Sequence, residues 1–258
     1  MDNQTLKKRL YLLLGGRKFL HNSSAIHCTA KAEVAQVKRW TPKGTLEVVP
    51  LVFDPNEYLN PPPTSDSDKF WPPRGEDRPI VLFLSRLHHK KGIEKLIAAA
   101  AKIIKLHDVR FIIAGSGEPD YERKLQKLVT TLDLDKCVEF AGFVEGDRKT
   151  ALFRAADIFV LPTSQENFGL VIPEAMASGL PVITTKGVDI WPELEASGGA
   201  LIIDEREDRL ITSISNLLED SASRTSMGRA GKAWVEDTFS GDVVVNGYID
   251  LYRRVMNQ

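Results

Sequence analysis

From Pro79 onward the chain alternates between two patterns, and this alternation limits its fold more than any other feature. "IVLFLS" (80–85), "VRFIIAG" (109–115), "CVEFAG" (137–142), "DIFVLP" (157–162), "LPVITT" (180–185) and "ALIID" (200–204) are apolar runs of strand length. Helical patterns separate them. In "KGIEKLIAAAAKIIKLH" (91–107) Ile93, Leu96, Ile97, Ala100 and Ile104 share one face. "EPDYERKLQKLVTTLDL" (118–134) is the next such segment. Strands apolar on both faces need cover on both sides, which a parallel sheet flanked by amphipathic helices supplies. Residues 79–258 are therefore expected to form a doubly wound α/β domain. Three helices, 207–219, 222–238 and 242–256, are expected to close it.

The first 78 residues read differently. "AIHCTA" (25–30) and "TLEVVPLVF" (45–53) predict short strands, and "KAEVAQVKRW" (31–40) a helix between them. A short helix from Leu6 to Leu14 is expected to end at Gly15-Gly16. Its apolar patch, "LYLLL", lacks a small-residue cleavage pattern, so it does not read as a signal peptide. Residues 54–79 are rich in Pro, Asp and Ser and predict a linker or irregular loop. The expected division is thus 1–78, a short segment plus linker, and 79–258.

Composition excludes several functions. With 34 basic and 35 acidic residues the net charge is −1, which argues against a dedicated nucleic-acid binder. No apolar run approaches the ~20 residues of a membrane span. Cys28 and Cys137 lie far apart and make neither a disulfide framework nor a metal-ligand spacing. They read as small buried residues of a cytoplasmic protein.

In a doubly wound sheet, ligands sit beyond the carboxyl ends of the strands, where strand order reverses. The loops after Ser85, Ala114, Gly142, Pro162 and Thr184 are therefore the ones to inspect. "SRLHHKKG" (85–92) places Arg86, Lys90 and Lys91 just before a helix start, a natural anion site. The plain alternative is a solvated basic turn, with Lys90 the residue least needed. Arg86, close behind an apolar strand, is expected to be partly buried and so to need an anionic partner. His88 and His89 read as surface residues. "GSGEPD" (115–120) offers Gly115, Ser116 and Gly117 for close backbone approach, but no complete dinucleotide fingerprint. "FAGFVEGDRK" (140–149) adds another glycine-bearing loop, with Phe143 as a candidate contact.

"SQENFGLVIPEAMASGLPVITT" (164–185) carries two glutamates around a predicted helix start near Gly169. Pro173 fits only a first turn, and Gly179 ends the helix. Glu166 then lies in the loop and Glu174 just inside the helix. Eight helical residues span ~12 Å, so the carboxylates are not expected to meet. A pair of the glycosidase kind, ~5–9.5 Å apart, is not favoured. Two carboxylates flanking amides at Asn167, Phe168, Gly169 and Leu170 suit an elongated ligand, with hydroxyls at both ends and an anion between. A nucleotide sugar has that outline. The alternative leaves Glu166 in solvent and Glu174 complementing the helix dipole.

Taken in order, "SRLHHKKG", "GSGE", "ADIFVLP" and "ENFGLVIPEAMASGLPVI" resemble the C-terminal, Rossmann-like nucleotide-binding domain of the retaining glycosyltransferases of group 1 (family 4, B-type fold). The similarity covers about 79–238, and residues 25–58 look like the tail of that family's N-terminal domain. The resemblance implies transfer of a hexose from a UDP-, GDP- or ADP-sugar to a glycan or lipid-linked acceptor, with retention, as in polysaccharide biosynthesis. It assigns Arg86 and Lys91 to the diphosphate, Glu166 to the donor sugar's hydroxyls and Glu174 to the ribose. The backbone at Phe168–Leu170 falls beside sugar and phosphates. No metal or other cofactor is implied, because basic residues neutralise the leaving diphosphate. Lipid-linked acceptors leave room for contact with a membrane surface.

Two departures accompany this resemblance. The family's N-terminal domain holds the acceptor site and is longer than the 78 residues before the second domain here. The chain is accordingly expected to be a fragment carrying the donor half, without that N-terminal domain. The usual Pro-Asn-Gly-Val-Asp near the end of the first domain reads "VPLVFDPNEY", while the glutamate usually found after a proline is Glu193. The competing reading is a nucleotide-sugar binding module without turnover. A phosphorylase relative would need a pyridoxal-phosphate lysine in a longer chain.

Overall fold

The computed structural model describes residues 10–41, 45–61, 71, 75, 78–204 and 206–257. They fall into two compact units, one within Met1–Val52 and Gly241–Gln258, the other Phe53–Ser240. The boundary expected at 78/79 lies inside the second unit, and the last helix belongs to the first.

In the smaller unit, β1 (Ile26–Cys28) and β2 (Leu46–Val48) pair in parallel, with Ile26 opposite Leu46. A parallel pair needs a crossover, which α2 (Lys31–Lys38) supplies. It follows the short helix α1 (Arg17–His21). The helix expected to end at Gly15-Gly16 does kink at Gly15, where φ is 143°, but helical structure resumes immediately in α1. Residues 6–9 of that expectation lie outside the described residues. The terminal helix α11 (Gly241–Met256) packs here. Its Arg254 bridges to Glu47 at 2.9 Å, and Tyr248 meets the His27 ring edge-on.

The larger unit carries six strands: β3 (Ile80–Leu84), β4 (Arg110–Ala114), β5 (Val138–Gly142), β6 (Ile158–Leu161), β7 (Val182–Thr185) and β8 (Ala200–Ile203). They are all parallel, in the order β5-β4-β3-β6-β7-β8. This is the doubly wound sheet expected from the sequence, and β6 and β7 are buried along their whole length. Each strand begins or ends a residue or two inside its apolar run. The order reverses between β3 and β6, so the switch point lies there. At the opposite end of the same strands the Asp157 carboxylate accepts the Ile80 N–H at 2.9 Å, which satisfies the first donor of β3 in a buried setting.

The connecting helices are α4 (Ile93–Ile103), α5 (Pro119–Thr131), α6 (Gly146–Ala155), α7 (Val171–Ala177) and α8 (Trp191–Ala196), followed by α9 (Glu207–Glu219) and α10 (Ser221–Phe239). α4 buries Ile93, Leu96, Ile97, Ala99, Ala100 and Ile103. Ile104, expected on that face, lies past the helix end and is only half-buried, because the helix closes four residues early. α9 packs on α4, and α10 on α7.

The Pro-rich segment is not wholly irregular. Asp54 accepts the Asn56 N–H at 3.0 Å and opens the one-turn helix α3 (Asn56–Leu59), which buries Tyr58 and Leu59. Residues 62–70, 72–74 and 76–77 of that segment lie outside the described residues. Cys28 is buried, and burial followed by Glu33 pushes its thiol pKa up. Cys137, expected to be buried, is half-buried at the start of β5.

Candidate functional site

At the switch point the loops after β3 and β6 are joined through their backbones. The Ser164 N–H donates to the Lys90 carbonyl at 2.8 Å, and the Thr163 hydroxyl to the same oxygen at 3.0 Å. Gly92, at φ 74°, makes this approach possible. A Cβ there would lie 2.1 Å from the Pro162 carbonyl oxygen, closer than any side chain tolerates. Lys90 donates from Nζ to Gln165 at 2.6 Å, so it fastens the loop.

This joint brings Lys91 and Glu166, 75 positions apart, into a direct ion pair. Lys91 is buried, and the Glu166 side chain keeps about a fifth of its surface exposed. Glu166 is fixed from a third loop as well: its N–H donates to Gly187, and its carbonyl accepts from Asp189. The stretch beyond it turns at Gly169 (φ 66°) into α7, and Gly179 (φ 74°) follows the helix end. The N–H groups of Asn167, Phe168, Gly169 and Leu170 have no acceptor among the described residues. Four unengaged donors in succession can hold an anion. Phe168 itself is buried, edge-on to Phe239.

Arg86 corrects the sequence expectation. It is exposed, while Leu87 beside it is buried, so past β3 the chain turns Leu87 rather than Arg86 inward. Its guanidinium makes no ion pair or hydrogen bond among the described residues. It lines a cavity of about 780 Å³, ordinary for a small-molecule site. Gly115, Ser116, Gly117 and Phe143 line the same cavity, as does His88. The glycines serve the chain's own backbone first. A Cβ at Gly115 would lie 1.9 Å from the Ser85 carbonyl oxygen, and one at Gly117 2.1 Å from that of Leu87. Glu122 accepts the Gly117 N–H at 2.6 Å. His88 is half-buried, and its Nδ1 accepts the Lys90 N–H at 3.2 Å. Desolvation first, then the neighbouring His89, Arg86, Lys90 and Lys91, hold its imidazole below the ordinary histidine value. His89 is exposed.

Glu174 has partners of its own, different from those of Glu166. Lys149 of α6 donates to its Oε1 at 2.7 Å, while its Oε2 is buried with no hydrogen-bond partner among the described residues. The Lys149 ammonium also sits 5.5 Å from the Tyr58 ring centroid. Burial, then Glu174 and Glu57, push the Tyr58 hydroxyl pKa up. Glu57, Tyr58, Glu118, Glu145 and Lys149 all line the cavity. None of these five was singled out from the sequence. The signals present were an Asp-Pro turn opening a helix before "EYL", and a lysine one turn into α6.

Fold and crevice together define a Rossmann-like domain whose switch point holds an open cavity, a free guanidinium and an amide-rich turn. The chain belongs to the glycosyl transferases group 1, whose family model matches residues 65–234. It is similar to an uncharacterised glycosyltransferase of Methanocaldococcus jannaschii, 32% identical over 182 residues, 70% of this chain and 46% of that protein. It is also similar to a GDP-mannose-dependent phosphatidylinositol monomannoside mannosyltransferase of Mycobacterium tuberculosis, 31% identical over 76% of this chain and 55% of that protein. The chain spans about half the length of these relatives. Among solved structures it matches sucrose-phosphate synthase of Thermosynechococcus elongatus, with a TM-score of 0.84 and 26% identity, over 99% of this chain and 64% of that one. It likewise matches the Anabaena protein HepE in complex with UDP, with a TM-score of 0.80 and 25% identity, over 100% of this chain and 69% of that one. No helix among the described residues is long and apolar enough to cross a membrane.

Proposed function

We propose that this chain supplies the donor half of a retaining glycosyltransferase that moves a hexose from a nucleoside-diphosphate sugar to a glycan or lipid-linked acceptor. What supports this reading is Arg86 on the cavity wall just past β3, with the β3 and β6 loops joined at the same switch point through the Lys90 carbonyl and the Lys91–Glu166 ion pair. In the proposed reaction the bond from the anomeric carbon to the diphosphate oxygen breaks, and the acceptor oxygen bonds to that carbon. The acceptor's proton passes to the departing phosphate. Arg86, Lys91 and the amides stabilise the charge that develops there, and the reading invokes no metal ion. Glu166 orients sugar hydroxyls, with Lys91 held beside it. Gly115, Ser116, Gly117 and Phe143 border the nucleotide. Glu174 takes the ribose, sharing its carboxylate with Lys149. The reaction is placed in the cytoplasm, at a membrane surface when the acceptor is lipid-linked.

Because the chain spans about half of its relatives, binding and turnover are separate claims. Calorimetry with UDP, GDP and ADP tests the first, with micromolar affinity expected for at least one. Absence of binding by all three overturns the donor-site reading. Transfer of labelled sugar by the chain alone is expected to be weak. Binding without transfer under any partner condition favours a nucleotide-sugar binding module.

A further inference from the structure

Amides in succession stay aimed only if something holds the turn that presents them. The carbonyl of Asn167 accepts from Asp189, and those of Gly169 and Leu170 accept from Ile172 and Glu174. Between these points Phe168 makes no backbone hydrogen bond among the described residues. Side chains add little on either side of it: Asn167 and Leu170 are exposed, and Gly169 has none. The buried Phe168 ring is therefore the anchor of this stretch. It meets Phe239, the last residue of α10, with ring centroids 5.9 Å apart and planes at 87°. Edge-to-face is a preferred arrangement of aromatic pairs. Phe239 is buried in turn and takes two more rings edge-on, Phe53 and Trp234, each at 5.5 Å. Its helix packs along α7, the helix that the turn opens. No other described ring lies edge-on to Phe168.

We propose that Phe239 is a positioning residue of the donor site, one that holds the amides of Asn167–Leu170 in place through the Phe168 ring. The inference rests on the donor-site reading, which lays the diphosphate against those amides. Backbone N–H groups stabilise an anion only where they already point at it, and a displacement of about 1 Å is costly. The Phe168 ring fixes where its own N–H and those of its neighbours lie, and Phe239 fixes the ring. Phe239 does this without touching the ligand. A smaller side chain there would leave a void on one side of Phe168, and close-packed interiors relax into such voids only in part. The turn would then lose its aim while the helices on either side of it persist.

The test is calorimetric titration of inorganic pyrophosphate, UDP, GDP and ADP into the native chain and its Phe239→Leu, Phe168→Leu and Phe111→Leu variants, with urea unfolding of each. Phe111 is the control, buried near the start of β4 at the end of the sheet away from the turn. Phe239→Leu and Phe111→Leu are both expected to lower stability. Only Phe239→Leu should also weaken pyrophosphate and nucleoside diphosphate binding, by about tenfold, with Phe111→Leu within about twofold of native. Phe168→Leu should match Phe239→Leu, and the double variant should bind no worse than either single one, because the two rings act as a unit. The amide NMR resonances of Asn167–Leu170 should shift when pyrophosphate is added to the native chain, and shift less in Phe239→Leu. Binding by Phe239→Leu within about twofold of native, an equal loss in Phe111→Leu, or losses that add in the double variant overturn the positioning role while the donor site stands. No binding of any of these ligands by the native chain overturns both.

Discussion

Glu166 and Glu174 are eight positions apart in the chain and sit in unlike surroundings. Glu166 belongs to a loop held on two sides by backbone hydrogen bonds, and its carboxylate meets a buried ammonium. Glu174 projects from α7 into a layer of side chains, Lys149 and Tyr58, drawn from two other helices. The inner end of the site is therefore set by main chain approaching main chain, which a single methyl group would spoil. The outer end is set by side-chain packing, which tolerates adjustment. In the proposed donor site, the geometry fixed by backbone falls to the diphosphate and the adjustable side chains to the ribose.

If that contrast holds, the largest effect comes from the inner backbone. Gly92→Val places a side chain on the Pro162 carbonyl and strains a left-handed residue, and is expected to lower stability by about 3 kcal/mol or more in urea unfolding. Gly142→Ala, at φ 68° with open space around it, should lose only about 1 kcal/mol. Equal losses would break the claim that backbone contact dominates at the switch point. Next comes Lys91→Met, which leaves Glu166 half-buried and unpaired. It should cost about 1–3 kcal/mol of stability, below the figure for a fully buried pair because Glu166 keeps some solvent, and should remove nucleotide binding.

Arg86→Ala separates binding from folding. Unfolding midpoints should shift by no more than about 0.5 kcal/mol, whereas affinity for nucleoside diphosphates should fall roughly tenfold or more. His88→Ala should leave that affinity nearly intact, so matching losses in calorimetry would show that the anion lies elsewhere. At the outer end Tyr58→Phe keeps the ring that the Lys149 ammonium faces and should change thermal stability by no more than about 0.5 kcal/mol. Loss of nucleotide binding there would mean that the outer end is not adjustable.

The smallest effect is a titration. His88 is held below its ordinary value, so it is neutral in the folded chain at pH 7. The unfolded chain takes up the proton first as pH falls. The associated stability is present above about pH 6.5 and declines below it, as pH passes down towards the lowered folded value. Histidine NMR should show a midpoint under the ordinary one, rising when a nucleoside diphosphate enters the cavity. A midpoint unmoved by ligand would separate His88 from the anion.

Much of this architecture was legible in the chain. Unbroken apolar runs such as "IVLFLS" and "DIFVLP" announce strands covered on both faces, and the loops that follow them hold the site. What could not be read is which loops become neighbours, because strand order is a property of the assembled sheet. Lys91 and Glu166 meet only through it. Tyr58 was hidden by composition: a stretch rich in proline still closes one helical turn when Asp54 accepts its first N–H. Arg86 was expected to be partly buried from its nearness to β3, but beyond the strand it is the next residue, Leu87, that turns inward. Gly115 and Gly117 were assigned to ligand approach, and the closer constraint on them is the carbonyl of a neighbouring loop.

Pro162 pressed against Gly92 has a further implication. With no room for a side chain between them, neither loop can slide past the other, so the ammonium of Lys91 keeps its aim whether the crevice is filled or empty. Whatever reshaping accompanies a bulkier or smaller guest must then fall on Tyr58, Lys149 and their surroundings. A change of guest can thus be met at Tyr58 and Lys149 without disturbing the joint between the two loops.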